Sequence, residues 1–531
     1  MSAFATRSLR VSTRLTTVCR RQSPGWDWPS AESRLVRQRF RSERARSWRA
    51  EPRRSGARRW LLRGAALLVV LVCAGAGSYE PGMPEVEEPL GPRMPVGFVI
   101  PFVLLLLSIA ILPAAARDWW KDDVNKGKVA AFFSIPVIVL FAFHFGSAGN
   151  IELLHQAMEY SSFVMLLAAL YVISGGILIE GAFRGTPASN TALLAIGAVL
   201  ANLIGTTGAS LLLVRPLIRG NIRRRRVVHV PVFFIFVVAN CGGLLTPLGD
   251  PPLFLGFLQG VPFEWTLRLW PQWLLVNGVL LALFAVWDFF ASRLDAQEGG
   301  AAPAAASDLR FALRGAHNFA FLAGVIVLLF ASRHGYGNRG TPWPFGIQEV
   351  GLLGLAVASF FSTRPDIREK NHATFGPIIE VAVIFAGIFV TITPVLLLLD
   401  ANGRRFGLSE PWHFFWAAGL MSSILDNAPS YLAAVATACG AQQIPLEGPY
   451  LRTFLELRGP SGGDQILAAI SCGCVFMGAL TYIGNAPNFM VRAYAEESNI
   501  RMPSFFGFML YSFAILVPLF GVVTFVFFAP R

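Results

Sequence analysis

Two short motifs place carboxylates and prolines inside strongly apolar parts of the chain. "TPLGDPPLF" at residues 246–254 contains Asp250, and "SSILDNAPSYLAA" at 422–434 contains Asp426. A charged side chain in hydrocarbon is costly, and proline interrupts the hydrogen bonding of a helix. Together these residue types indicate a site inside a membrane where oxygen atoms bind a cation or a carboxylate binds a proton.

Prolines and glycines accompany the acidic residues at these positions. A proline within a helix leaves the carbonyl four residues earlier without its N–H partner, and such a carbonyl can coordinate a desolvated cation. Glycine lets the backbone come close to the bound ion. The predicted helix-breaking residues are Gly249, Pro251, Pro252, Pro429, Gly484 and Pro487.

Acidic, amide and hydroxyl side chains beside these breaks are the candidate ligands. Burial raises the pKa of a carboxyl group, so a buried aspartate can exchange a cation for a proton near neutral pH. The sequence leaves open whether the two aspartates share one ion. The predicted cation-binding and proton-binding residues are Asp250, Asp426, Asn427, Asn485, Thr246, Thr481, Thr206 and Thr207.

Two other interpretations of the aspartates were weighed. Both motifs could be plain turns at the membrane surface, where Asp, Asn, Gly and Pro are common. An intramembrane aspartyl protease would need Tyr-Asp and Gly-x-Gly-Asp motifs, whereas Asp426 follows Leu425 and Asp250 lies in Pro-Leu-Gly-Asp. We therefore expect a transporter without enzymatic activity, and neither a resident cofactor nor a structural metal.

The composition is that of a multi-pass membrane protein. The 531 residues are 54% hydrophobic and only 15% charged, with a mean hydropathy of +0.54. The net charge of +13 is concentrated in residues 1–60, where sixteen arginines face four acidic residues and leave +12. The rest of the chain is nearly neutral, which excludes a nucleic-acid groove in its body.

The order of apolar runs suggests how the chain is organised. Residues 1–60 are predicted to be a basic disordered extension, and 61–94 a signal-like segment followed by a Pro-rich linker. A cytoplasmic linker at 292–315 joins two transporter repeats, 95–291 and 316–531. The predicted spans lie at 95–116, 129–148, 160–181, 191–218, 228–259, 270–291, 316–332, 347–362, 375–399, 411–437, 464–490 and 505–529.

The two repeats carry the same interruptions in the same order. Residues 243–254 align without gaps on 478–489, with identical residues at six of twelve positions. Residues 200–210 align more loosely on 420–430. We expect an all-α fold in which each half has five spanning helices, one of them broken, plus a re-entrant hairpin. An odd number of crossings inverts the second half, and the placement of Lys and Arg on cytoplasmic loops agrees with this threading.

At residues 242–253 and 422–434 the chain resembles the ion transporter superfamily, in particular its NhaD-type sodium/proton antiporters, with citrate and arsenite carriers as relatives. The resemblance implies an elevator-like carrier, usually a homodimer in membrane lipid, and points to exchange of Na⁺ or Li⁺ for H⁺ across a bacterial inner membrane. NhaD-like antiporters have an Asp-Asn pair in the first hairpin, where this chain has Thr206-Thr207.

That departure keeps a second function open. The alternative is a carrier of an organic or inorganic anion driven by Na⁺ or H⁺, with Thr206, Thr207 and Asn485 receiving the anion. Dicarboxylate carriers of the superfamily have paired Ser-Asn-Thr motifs, which neither hairpin here contains. The solute that moves distinguishes the two functions.

Overall fold

The structure is a computed structural model that describes residues 90–180, 184–298, 312–371, 373–457, 459 and 462–530. The predicted extension at 1–60, and the signal-like segment up to residue 89, lie outside the described residues. The described part is mainly helical. Its α-helices are α1 (Val99–Ala115), α2 (Arg117–Trp120), α3 (Asp123–Val139), α4 (Gly146–Ser174), α5 (Pro187–Asn221), α6 (His229–Val237), α7 (Pro251–Leu258), α8 (Trp270–Gln297), α9 (Asn318–His334), α10 (Ile347–Ser362), α11 (Pro365–Lys370), α12 (Gly376–Asn402), α13 (Pro411–Ile424), α14 (Asn427–Gln442), α15 (Tyr450–Leu455), α16 (Gly463–Met477), α17 (Ala486–Glu497) and α18 (Phe505–Val523).

Eight helical segments of the described residues are long and apolar enough to cross a membrane. Shorter apolar helices occupy three more of the predicted runs, at His229–Leu244, Asn318–His334 and Ile347–Ser362. The chain is thus a multi-pass membrane protein. The eight long segments are Val96–Pro113, Asp123–His144, Gly146–Ser174, Pro187–Asn221, Phe263–Gln297, Gly376–Phe406, Gly463–Leu480 and Phe505–Phe528.

The boundaries of α3 and α4 differ from the predicted spans at 129–148 and 160–181. A π-helical turn at Leu140–His144 ends the first, and α4 begins at once with Gly146. Polar residues between 149 and 159 suggested a loop, but they belong to the first turns of α4. Helix α4 therefore has 29 residues, more than the predicted span.

A small antiparallel sheet corrects the prediction of an all-α fold. Strand β1 (Leu178–Glu180) pairs with β2 (Ala312–Arg314), with Ile179 opposite Leu313. Glu180 also forms ion pairs with Arg314 at 2.8 Å and with Lys370 at 2.6 Å. The end of the predicted linker 292–315 is therefore attached to the first half of the chain.

Helix α5 covers 35 residues, but it consists of two helical arms that form a hairpin. Gly205 has φ 75° and ψ 156°, which reverses the chain direction between two arms. Nδ2 of Asn190 donates to Oδ1 of Asn221 at 3.0 Å, whereas a straight helix would hold residues 31 apart at about 46 Å. The arms therefore lie side by side, at the place where the sequence predicts the first hairpin.

The other three predicted interruptions are also breaks between helices. A 3₁₀ turn at Cys241–Leu244 and an irregular segment lead from α6 into α7, and Leu425 and Asp426 separate α13 from α14. A 3₁₀ turn at Gly478–Leu480 and an irregular segment separate α16 from α17. Helix α16 is almost wholly buried, whereas α1 and α3 leave most of their apolar side chains on the surface, where lipid would cover them. The breaks thus lie at the centre of the molecule.

Candidate functional site

The carboxylate of Asp250 is the centre of the candidate site. Asp250 is 1% exposed, and its oxygens accept three side-chain hydrogen bonds. The donors are Oγ1 of Thr206 at 3.1 Å, Nδ2 of Asn427 at 2.5 Å and Nδ2 of Asn485 at 3.2 Å. Each donor comes from a different helix break, so the four motifs that the sequence singles out meet at one carboxylate.

Close backbone contacts hold the tip of the α5 hairpin against the segment before α7. The amide of Thr206 donates to the carbonyl of Gly249 at 2.9 Å. A Cβ atom on Gly249 would lie 2.1 Å from the carbonyl oxygen of Gly243, and one on Gly205 would lie 3.2 Å from that of Leu248. Glycine is needed at 249 because a Cβ atom there would collide with the backbone of the 3₁₀ turn that contains Gly243.

Four helix N-termini converge on Asp250. Asp250 is the N-cap residue of α7, Asn485 is the N-cap residue of α17, and Asn427 is the first residue of α14. Thr206 opens the second arm of α5 directly after Gly205. The first N–H groups of a helix lack intrahelical partners and carry partial positive charge, so this arrangement attracts negative charge.

The prolines occupy the first turns of these helices. Pro251 and Pro252 begin α7, and Pro487 is the second residue of α17. At these positions a helix needs no N–H donor, so proline fits without breaking a hydrogen bond. The expectation that the prolines vacate carbonyls inside helices is therefore wrong: they start helices at the site, with Pro429 in the third position of α14.

Asp426 has a different environment from Asp250. Its Oδ1 accepts the backbone N–H of Asn427 at 2.8 Å and so caps α14, and the residue is partly exposed. Among the described residues, Asp426 makes no hydrogen bond to Asp250 or to the side chains that donate to Asp250. Asp426 lies next to the candidate site because its neighbour Asn427 donates to Asp250. It adds a second, more accessible carboxylate.

Thr246 and Thr481 hold the breaks together rather than facing Asp250. Oγ1 of Thr246 donates to the carbonyl of Asn202 at 2.5 Å, and Oγ1 of Thr481 donates to the carbonyl of Ser423 at 2.6 Å. Each Oγ1 also accepts a backbone N–H two residues later, at 3.2 and 3.1 Å. Thr207 is exposed, unlike the buried Thr206, because successive residues of a helix point about 100° apart.

The sequence analysis missed two asparagines that support Asn485. Nδ2 of Asn485 lies 3.2 Å from Oδ1 of Asn240, and Nδ2 of Asn240 donates to Oδ1 of Asn488 at 2.7 Å. Nδ2 of Asn488 in turn donates to the carbonyl of Gly478 at 2.9 Å. A fully buried asparagine in the apolar run at 228–244 is the signal that could have indicated Asn240.

A buried ion pair fixes the open end of the α5 hairpin. The carboxylate of Asp288 in α8 is 0% exposed and lies 2.6 Å from Nη2 of Arg224 and 2.9 Å from Nε2 of His229. Its other oxygen accepts from Nδ2 of Asn190 at 2.8 Å. Asp288 lies near the end of the predicted span 270–291, yet these partners stabilise it inside the protein.

Comparison with known proteins identifies the family of the chain. Residues 91–528 match the model of a family described as "Putative citrate transport", a match that includes all four breaks. No curated protein matches the chain. Because the matched region covers nearly all of the described residues, the chain belongs to this family of membrane transporters.

Proposed function

We propose that this protein is a secondary carrier that moves an organic anion of the citrate type together with Na⁺ or H⁺. The observation that carries the proposal is the convergence of four helix N-termini on one buried carboxylate. Membership of a citrate transport family supports an anion as the substrate. The alternative function considered from the sequence thus becomes the preferred one, ahead of Na⁺/H⁺ exchange.

The donors around Asp250 suit an anion. The side chains of Thr206, Asn427 and Asn485 present O–H and N–H groups, and the partial positive charge of the helix N-termini acts in the same direction. Discontinuous helices whose N-termini face the carboxylate of a substrate are a recurring arrangement in secondary transporters. An anion could therefore take hydrogen bonds that Asp250 accepts in its absence.

Asp250 explains why such a carrier would need a cation. Two negative charges 4 Å apart repel by about 4 kcal/mol at an effective dielectric constant of about 20, which corresponds to roughly a thousandfold loss of affinity. A Na⁺ ion or a proton on the carboxylate removes this repulsion. Binding of the anion then depends on the cation, and the two move together.

Repeated geometry supports alternating access through two related halves. Thr246 and Thr481 hold the segments before α7 and α17 to the preceding breaks with equivalent hydrogen bonds. Gly249 packs closely against the carbonyl oxygen of Gly243, and Gly484 packs in the same way against that of Gly478. The same proposal includes an inverted repeat, an elevator-like movement, a homodimer and a location in a bacterial inner membrane.

Exchange of Na⁺ or Li⁺ for H⁺ is the second candidate function. In its favour, Asp250 is buried and has no Lys, Arg or His within ion-pair distance in the described part of the chain, so its charge is available to a cation. Against it, Asn427 and Asn485 turn their N–H groups rather than their carbonyl oxygens toward Asp250.

Purified protein in liposomes distinguishes the two functions. We expect labelled citrate to accumulate when a Na⁺ or H⁺ gradient is imposed, and the accumulation to disappear in Asp250→Asn. Asp118→Asn, at a carboxylate whose side chain is 95% exposed, serves as the matched control and should accumulate citrate like the parent. Collapse of a proton gradient by Na⁺ with no movement of citrate would overturn the proposal in favour of exchange.

A further inference from the structure

A cavity of about 180 Å³ lies at the end of α7 that is farther from Asp250. Its walls come from α4, α7, α9, α10 and the loop that precedes α10. Phe257 and Leu258 provide the α7 side, and Trp343 provides part of the loop. The cavity is therefore separate from the site built around Asp250.

Two hydrogen-bond donors on the cavity wall lack protein partners. Ser332 is 7% exposed, and its hydroxyl has no hydrogen-bond partner among the described residues. The half-buried guanidinium of Arg333 has no carboxylate within ion-pair distance in that same part of the chain. Both side chains line the cavity, so a ligand or water inside it can accept hydrogen bonds from them.

The two charged residues that line the cavity, Arg333 and Glu349, differ in how they are paired. Arg333 interacts electrostatically with Arg452, which is also positively charged. Glu349 also lines the cavity, but Oε1 accepts from Oγ of Ser162 at 2.6 Å and Oε2 accepts from the amide of Gly346 at 2.8 Å. Both oxygens of Glu349 are thus already bound to the protein, while Arg333 is not.

Helix α7 connects this cavity with the central site. Its eight residues run from Pro251, next to the central carboxylate, to Leu258 on the cavity wall. At 1.5 Å per residue, the two places lie about 12 Å apart along one helix. The sequence threading places Arg314, in β2 just before α9, in the cytoplasm. On that threading, Arg333 at the other end of α9 and the cavity face the outer side.

We propose that this cavity is a second binding site for carboxylates, in which Arg333 and Ser332 hold one carboxylate of the substrate anion before it reaches Asp250. The inference rests on the proposed function for the identity of the anion. Arginine is well suited to this role because its planar guanidinium binds both oxygens of a carboxylate.

Trp343 offers a readout at the cavity itself. Protein in lipid nanodiscs is titrated with citrate, and the fluorescence of a Trp343→Phe variant is subtracted. We expect a saturable change that depends on Trp343, and at least a tenfold weaker citrate affinity in Arg333→Gln, because hydrogen bonds to charged groups are strong. Arg333→Lys should restore part of the affinity, which a purely structural role of Arg333 would not require.

The matched control is Arg339→Gln, at an exposed arginine of the loop after α9 that does not line the cavity. It should bind citrate like the parent. Equal affinity of the parent and Arg333→Gln, or the same fluorescence change in the parent and in Trp343→Phe, would overturn the inference.

Two further measurements separate this site from the proposed function. The Trp343 signal should persist in Asp250→Ala, although that variant should not transport. Citrate uptake by the parent without any Trp343 signal would contradict the second site and leave the proposed function intact. A saturable signal that Arg333→Gln weakens, with no uptake by the parent, would support the site and contradict the proposed function.

Discussion

Asn427 donates a hydrogen bond from Nδ2 to Oδ2 of Asp250 at 2.5 Å, although 177 residues separate the two along the chain. This contact joins the N-terminus of α14 in the second half to the N-cap of α7 in the first half. One carboxylate is therefore shared by both halves of the protein, which is what a transporter with a single central site requires.

Replacement of Asp250 by asparagine should separate binding from coupling. The amide keeps the size of the side chain but cannot carry charge or a proton. We expect Asp250→Asn to bind citrate without a cation and to lose gradient-driven accumulation. Uptake into liposomes with and without a Na⁺ or H⁺ gradient measures this, and gradient-driven accumulation at the parent rate would contradict the role of Asp250.

Asn427→Ala should weaken the central site without unfolding the protein. It removes a hydrogen bond to a charged group, which contributes about 1.5–3 kcal/mol, or roughly ten- to a hundredfold in affinity. The concentration dependence of citrate uptake checks this. Asn402→Ala is the control, because Asn402 donates only to the carbonyl of Leu398 in its own helix. Equal effects of the two substitutions would argue against the site.

Thr206 and Thr207 form a natural comparison within the hairpin tip. Thr206 donates to Asp250, whereas the adjacent Thr207 is exposed. We expect Thr206→Val to reduce citrate affinity several-fold and Thr207→Val to leave it unchanged, as measured by uptake kinetics. A larger loss in Thr207→Val would mean that the exposed hydroxyl binds the substrate instead.

Thr246→Val and Thr481→Val should lower stability to a similar extent. Each removes equivalent hydrogen bonds that tie one break to another, and a single such bond contributes about 0.5–1.5 kcal/mol. Thermal unfolding followed by tryptophan fluorescence should show comparable losses for the two variants. A loss confined to one of them would argue against equivalent roles in the two halves.

The buried pair between Asp288 and Arg224 should be important for folding. Removing one partner of a buried ion pair leaves an uncompensated charge and costs about 3–5 kcal/mol. We expect Asp288→Asn to lower the unfolding temperature clearly. Glu298→Gln breaks an exposed pair with Arg226 and should have little effect. Similar unfolding temperatures for both variants would show that the hairpin does not depend on Asp288.

The sequence predicts which residues belong to the site better than it predicts how they are arranged in space. Asp250, Asn427, Asn485 and Thr206 stood out because polar residues, glycines and prolines interrupt apolar runs in matching places. Their meeting point could not be derived, since it depends on contacts between residues as far as 235 positions apart.

Other residues were misjudged because their packing partners are remote. Asp288 lies near the end of an apolar run, where carboxylates are often on the surface, yet it is buried by contacts with Arg224, His229 and Asn190. Strand β2 pairs with a segment more than a hundred residues earlier, so the local sequence gave no signal for it. The prolines were assigned to helix interiors because apolar periodicity alone does not show where a helix starts.

Binding of labelled citrate to the purified protein, with Na⁺ present or replaced by choline and at two pH values, tests the coupling at Asp250. We predict that the parent binds citrate only with Na⁺ or at the lower pH, and that Asp250→Asn binds it under all of these conditions. Unchanged cation dependence in Asp250→Asn, or no citrate binding by the parent, would contradict the proposed mechanism.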